Sequence, residues 1–166
     1  LYNIIFILIM GTIRRIQNEL LKEWTEEYQN NNSIYKTDTN LYSGEKEVTF
    51  HIFFNGNYNP LFVTIDFKDR YYPFKPPIVY IGNNKVDYIS LLPTSWEFSN
   101  KLLGNKCACC NSILCHWPGP STTIKSIMEE VKKNFILKIR MMEIAHCRKI
   151  IEKKLGIDYV PIEEFI

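Results

Sequence analysis

No stretch of this sequence is long and apolar enough to read as a membrane span. The most apolar run, LYNIIFILIM at 1–10, is broken only by Asn3 and falls far short of the ~20 residues that cross a bilayer. It also lacks the basic start and small-residue cleavage site of a secretory leader. An excess of charge of one sign is missing too: 20 Lys and Arg against 18 Asp and Glu leave a formal net charge of +2. Nucleic acid is bound by concentrated basic faces, so neither a nucleic-acid nor a membrane partner is expected. Paired cysteine staples are absent. The five cysteines are an odd number and four crowd into one stretch, which reads as the reduced thiols of an intracellular chain in the cytoplasm or nucleus. There are no repeats, and NNN at 30–32 is the one low-complexity run.

What is present suits a single compact domain. The chain has 166 residues, 46% of them hydrophobic and 23% charged, enough to bury a sizeable core. The domain is expected over 12–166, with 1–11 as an apolar extension. Met10 stands just before the first helix signal, so it is read as the natural start with 1–9 upstream. The alternative is a short strand or helix extension packed on the body.

TIRRIQNELLKEWTEEY at 12–28 places Ile13, Ile16, Leu20 and Trp24 at helical spacing, with Thr12 as the expected N-cap and the asparagine tract as the end. Strands are expected at 33–37, 47–54, 61–67 and 77–81. Val48, Phe50, Ile52 and Phe54 alternate with Thr49 and His51, and Leu61, Val63, Ile65 and Phe67 with Thr64 and Asp66. NGNYNP at 55–60 is a hairpin signal. No helix separates these runs, so the strands should pair in sequence as an antiparallel meander with a helix over one face. YYPFKPP at 71–77 holds three prolines and must be a stiff irregular loop. A short helical turn is expected around TSWEFSNKLL at 94–103.

A second helical region opens at Ser121 or Thr122, carries Ile124, Ile127, Met128, Val131 and Phe135 on one face, continues through Ile144, Cys147, Ile151 and Leu155, and closes at Gly156. Whether 122–155 is one helix or two is open. Met128, Met141 and Met142 read as core filler, and His51 and His146 as surface. The class is α+β: an N-terminal helix, a four-stranded antiparallel meander, a proline-rich loop and long C-terminal helices.

Between the proline loop and the last helical region lies GNKCACCNSILCHWPGP at 104–120. It gathers Cys107, Cys109, Cys110, Cys115 and His116. A catalytic thiolate, a metal site and a buried cluster are the competing readings. Cys107-x-x-Cys110 is a knuckle spacing that Cys115 or His116 would complete around a structural zinc, but nine residues would have to wrap the ion alone, and no metal is favoured. A Cys107–Cys110 redox pair lacks the βαβ context that supports one.

The residues resemble the ubiquitin-conjugating enzymes. LFVTIDFKDRYYPFKPPIVYI at 61–81 is similar to that family's third and fourth strands with their Tyr-Pro-Phe-x-Pro-Pro loop, and IRRIQNELLKEW at 13–24 to its first helix. GPSTTIKSIMEEV at 119–131 is similar to the segment that opens the family's second long helix. The resemblance covers roughly residues 12–137. It implies a cysteine that accepts ubiquitin, or a ubiquitin-like modifier, as a thioester from an activating enzyme and passes it to a lysine with a ubiquitin ligase, with no cofactor. Counting back from the helix opening nominates Cys110, with Ile113 and Leu114 on the family's apolar positions. Reading forward through NSILC nominates Cys115, and Cys109 or no nucleophile at all is the remaining alternative. The resemblance further implies ligase binding at Phe74, Pro120 and Ser121, and docking of the activating enzyme at Arg14 and Arg15. The family's His-Pro-Asn, whose amide faces the developing oxyanion, has no counterpart here; Asn100, Asn105 and Asn111 are the stand-ins considered. The alternative reading is a non-catalytic relative that binds ubiquitin or a ligase.

Overall fold

The structure, a computed structural model, describes residues 2–41, 46–54, 59–67, 71–92, 101 and 108–161. In order, the elements are α1 (Tyr2–Glu23), α2 (Glu26–Asn32), β1 (Ile34–Asn40), β2 (Glu47–Ile52), β3 (Leu61–Asp66), β4 (Ile78–Ile81), β5 (Val86–Asp87) and α3 (Ile124–Leu155). Short 3-10 turns lie at Ile89–Leu91 and Cys109–Asn111. The fold is α+β, as the sequence implies. Among the described residues no helix is long and apolar enough to cross a membrane.

Among the described residues five strands form one antiparallel sheet in the order β1-β2-β3-β4-β5. The fifth strand, beyond the four expected, adds two residues that pair Ile81 with Val86 and Tyr80 with Asp87. Register follows the alternation: Phe50 stands opposite Val63 and Val48 opposite Ile65, while Ile65 in turn faces Val79. These residues are buried on one sheet face, whereas Thr49, His51 and Thr64 on the other are half-exposed. A strand's period of two permits that division in one register only. At one edge, β1 carries a register shift between Lys36 and Asp38 and exposes both charges, devices that discourage pairing with another chain. The hairpin tip at 55–58 and most of the turn expected at 94–103 lie outside the described residues.

The buried face receives Ile13, Ile16 and Leu20 of α1, Trp24 just beyond its end, and Ile124, Ile127, Met128 and Val131 of α3, all in one core. Trp24 packs on Phe50 with ring centroids 4.6 Å apart. Truncating Phe50 to alanine at this junction is expected to cost about 3–5 kcal/mol, measured as a shift in urea midpoint at unchanged m-value.

Helix limits differ from the expectation at three points. First, α1 runs back to Tyr2, so Thr12 is an interior residue rather than an N-cap. It is buried, and its hydroxyl donates to the Tyr72 carbonyl at 2.8 Å. Second, the first helix stops at Glu23, not at the asparagines. Thr25 starts a new helix by accepting from the Tyr28 amide, and the asparagine tract ends that one, with Ser33 in the left-handed region at φ 52°. Third, α3 begins on Thr123 rather than Ser121 or Thr122, because Thr123 and Ser126 exchange side-chain and backbone hydrogen bonds in a capping box. It is a single helix of 32 residues, closed at Gly156 with φ 65°. Met142 is exposed on it, contrary to the reading as core filler, while Met128 and Met141 are buried. His51 packs edge-on against Phe62 on the sheet surface, and His146 is exposed.

Candidate functional site

Two carboxylates organise the region between the proline loop and α3. The first is Glu19, 5% exposed on α1. It accepts from the Tyr72 hydroxyl at 2.7 Å and from the Ile124 amide at 2.8 Å, while Arg15 one turn earlier forms an ion pair with its other oxygen. One side chain therefore joins the first helix, the proline loop and the first turn of α3, where the helix dipole also favours an anion. Arg15 also donates to the Pro120 carbonyl at 3.0 Å. Burial chiefly, with the Glu19 charge, raises the Tyr72 phenol far above its ordinary pKa, so it acts as a hydrogen-bond donor.

The proline loop is a tight turn in which the Phe74 and Lys75 amides both donate to the Tyr71 carbonyl, at 2.6 and 3.1 Å. The Tyr72–Pro73 bond is cis. Tyr72 points inward at 2% exposure and Phe74 outward at 68%. From the far side of the cysteine segment, the Trp117 indole donates to the Pro73 carbonyl at 2.9 Å, which seats the 117–121 loop beside the turn.

The second carboxylate, Glu130 of α3, holds the cysteine segment itself. Its oxygens accept from the Ser112 hydroxyl at 2.7 Å, the Ile113 amide at 2.7 Å and the Tyr88 hydroxyl at 3.2 Å. Buried Ser112 then nucleates a turn: its carbonyl accepts from the Cys115 and His116 amides at 3.0 and 3.1 Å, and its hydroxyl from the Leu114 amide at 3.2 Å. Asn134 donates to the Tyr88 oxygen at 2.6 Å. Burial pushes the Tyr88 phenol well up; the Asn134 amide lowers it in part, and the charges of Glu130 and Cys115 raise it further. Glu130→Ala leaves three polar groups without their acceptor and is expected to cost about 1.5–3 kcal/mol. Faster hydrogen exchange at the Ile113 amide would accompany the loss, and an unchanged rate there would contradict the assignment.

On this frame Ala108 is buried, Cys109 half-buried, and Cys110, Cys115 and His116 are exposed. Cys109 and Cys110 place their sulfurs 3.8 Å apart. Cys147 is exposed on α3. Asn111 is exposed, with its amide bonded to the Ala108 carbonyl. Asn100, Asn105 and Cys107 lie outside the described residues. Among the described residues no group of three or more His, Cys, Asp or Glu is disposed to hold a metal ion. Pro120 and Ser121 are exposed, as is Arg14, whereas the Arg15 guanidinium is engaged with Glu19 and Pro120. Sequence reasoning missed Glu19, Glu130 and Tyr88. The Arg15–Glu19 spacing of four was visible but reads as a solvated pair, and nothing local marks the distant partners.

A separate cleft of about 510 Å³ lies between Ser33, Phe53 and Phe54 on one side and Lys132, Ile136 and Arg140 of α3 on the other. Among the described residues no cysteine lines it. Compared with protein-family models, curated proteins and solved structures, the chain matches none.

Proposed function

We propose that this chain is a ubiquitin-conjugating-type transferase, with Cys110 as the acyl-accepting thiol and Cys115 as the alternative. The observation that carries the proposal is the Trp117–Pro73 hydrogen bond at 2.9 Å. It joins the segment after the cysteines to the Tyr-Pro-Phe-x-Pro-Pro turn that connects β3 to β4 in the antiparallel meander, in keeping with the sequence resemblance, which puts the cysteine between that loop and the last long helix. Exposure of Cys110 supports the reading, because a thiol that receives a protein C-terminus must be reachable from solvent.

The chemistry needs two acyl transfers and no cofactor. The thiolate attacks the activated carboxyl carbon of the modifier and displaces the activating enzyme's leaving group, forming a thioester. A lysine amine then attacks that carbonyl, the C–S bond breaks, and the thiolate leaves as the amide forms. Exposed Phe74 is suited to anchor a ligase, with Pro120 and Ser121 on the neighbouring loop. Arg14 is suited to contact the activating enzyme, while Arg15 is committed to internal bonds.

The absence of a His-Pro-Asn sequence favours a second reading, a non-catalytic module that binds ubiquitin or a ligase. Incubation with activating enzyme, ATP and ubiquitin separates the two. The transferase reading expects a reductant-sensitive band shift on a non-reducing gel that Cys110→Ala abolishes. A shift lost only in Cys115→Ala moves the nucleophile to Cys115. No shift with every cysteine intact overturns the transferase. Ubiquitin binding without a shift supports the module, and one equivalent of zinc by elemental analysis would support a metal-stabilised cluster at Cys107, Cys110, Cys115 and His116 instead.

A further inference from the structure

We propose that Cys109 and Cys110 form an oxidative modification site, in which a hydroperoxide oxidises Cys110 and Cys109 closes a disulfide with it. The argument begins with their unequal settings. Cys110 is exposed and can meet a small oxidant, whereas Cys109, half-buried against the core, is shielded but has its sulfur 3.8 Å from that of Cys110. A sulfenic acid formed on an accessible thiol condenses with whichever second thiol is nearest. The 3-10 turn Cys109–Asn111 keeps that second thiol adjacent, pinned upstream by buried Ala108 and downstream by the Ser112–Glu130 bond.

The steps balance. The Cys110 thiolate attacks the hydroperoxide, taking one oxygen and releasing alkoxide or hydroxide. The Cys109 thiol then attacks the sulfenic sulfur, and water leaves as the S–S bond forms. Two small-molecule thiols reverse the reaction, leaving as their own disulfide while both cysteines regain protons. Adjacent α-carbons are about 3.8 Å apart, below the usual range for bridged cysteines, so the ring is strained and easily reduced. Strained cross-links are the labile, regulatory kind. The bond thus stops Cys110 from proceeding to the irreversible sulfinic acid while remaining open to repair. This chemistry stands apart from the acyl-transfer reading; where Cys110 also carries the acyl group, the same cross-link would silence it reversibly.

The test uses the whole protein and hydrogen peroxide, without ubiquitin, so its result is independent of any transferase activity. After treatment, remaining thiols are alkylated under non-reducing conditions and the peptide from Cys107 to Lys125 is fragmented in a mass spectrometer. The expected product has lost two hydrogens, resists alkylation at Cys109 and Cys110 only, and returns to the thiol form with a small-molecule thiol. In Cys109→Ser, Cys110 should accumulate sulfinic acid several-fold faster than in the native chain. A cross-link from Cys110 to Cys107 or Cys115 in the native chain would overturn the proposal, as would sulfinic acid appearing equally fast with and without Cys109. The native-chain mapping stands by itself should the serine variant fold poorly.

Discussion

Replacing Glu19 by alanine is expected to destabilise the protein by about 3–5 kcal/mol, the cost of removing one partner from a buried, charge-assisted cluster. The loss would be large because three donors depend on this carboxylate: the Arg15 guanidinium, the Tyr72 hydroxyl and the Ile124 amide. The amide belongs to the first turn of α3, so its end would lose an anion as well as an acceptor. Glu19→Gln preserves the shape and one acceptor oxygen, and should recover part of the loss. Urea unfolding followed by far-ultraviolet circular dichroism measures both. If Glu19→Ala unfolds within about 0.5 kcal/mol of the native chain, as a surface substitution would, the cluster does not hold the three elements together.

The second large effect concerns alkaline pH. Tyr72 and Tyr88 are both fully buried, and burial raises the pKa of each well above the ordinary phenol value. Above about pH 10 the unfolded chain releases these protons while the folded chain keeps them, so the native state binds more protons and stability falls as pH rises. Below that pH the contribution is fully present. The slope approaches about 1.4 kcal/mol per pH unit for each tyrosine, or about 2.7 for the pair. Tyr72→Phe and Tyr88→Phe should each remove about half of that slope, whatever they do to stability at neutral pH. Denaturant titrations repeated between pH 8 and 11 measure it. A slope indifferent to either substitution would mean that these phenols ionise in the folded protein.

Much of the sheet was legible because strand alternation is a local signal. Val48, Phe50 and Ile52 announce a buried face from their spacing alone, and the lack of intervening helices leaves sequential antiparallel pairing as the simple solution. The two-residue β5 was not legible, since its exposed Val86 and Asp87 carry no periodicity. Helix limits failed for a different reason. Thr12, Thr25, Ser121, Thr122 and Thr123 are all competent caps, and different contacts decide among them: Thr12 is drawn to the distant Tyr72 carbonyl, while Thr123 wins through its local reciprocity with Ser126.

The candidate site was half visible. Its cysteines and proline turn stand out by composition. Its scaffold does not, because Glu19 and Glu130 sit among ordinary helical charges and acquire meaning only from Tyr72, Ile124, Tyr88 and Ser112, which arrive from elsewhere in the chain. Exposure separates Cys109 from Cys110 although they are neighbours in sequence; that difference comes from packing against the core.

At 1.5 Å per residue the last helix is about 48 Å long, while its core-facing residues end near Phe135. Beyond that point Met141 and Ile144 make a small cluster of their own with Leu137 and Ala145, and the chain after Gly156 doubles back so that Val160 meets Glu152 and Tyr159 lies under Arg148. The rod therefore has an anchored half and an outboard half with its own modest clasp. Heat or denaturant should loosen the outboard half first, leaving the end that holds the Cys109–Cys115 segment through Glu130 seated until the whole body gives way.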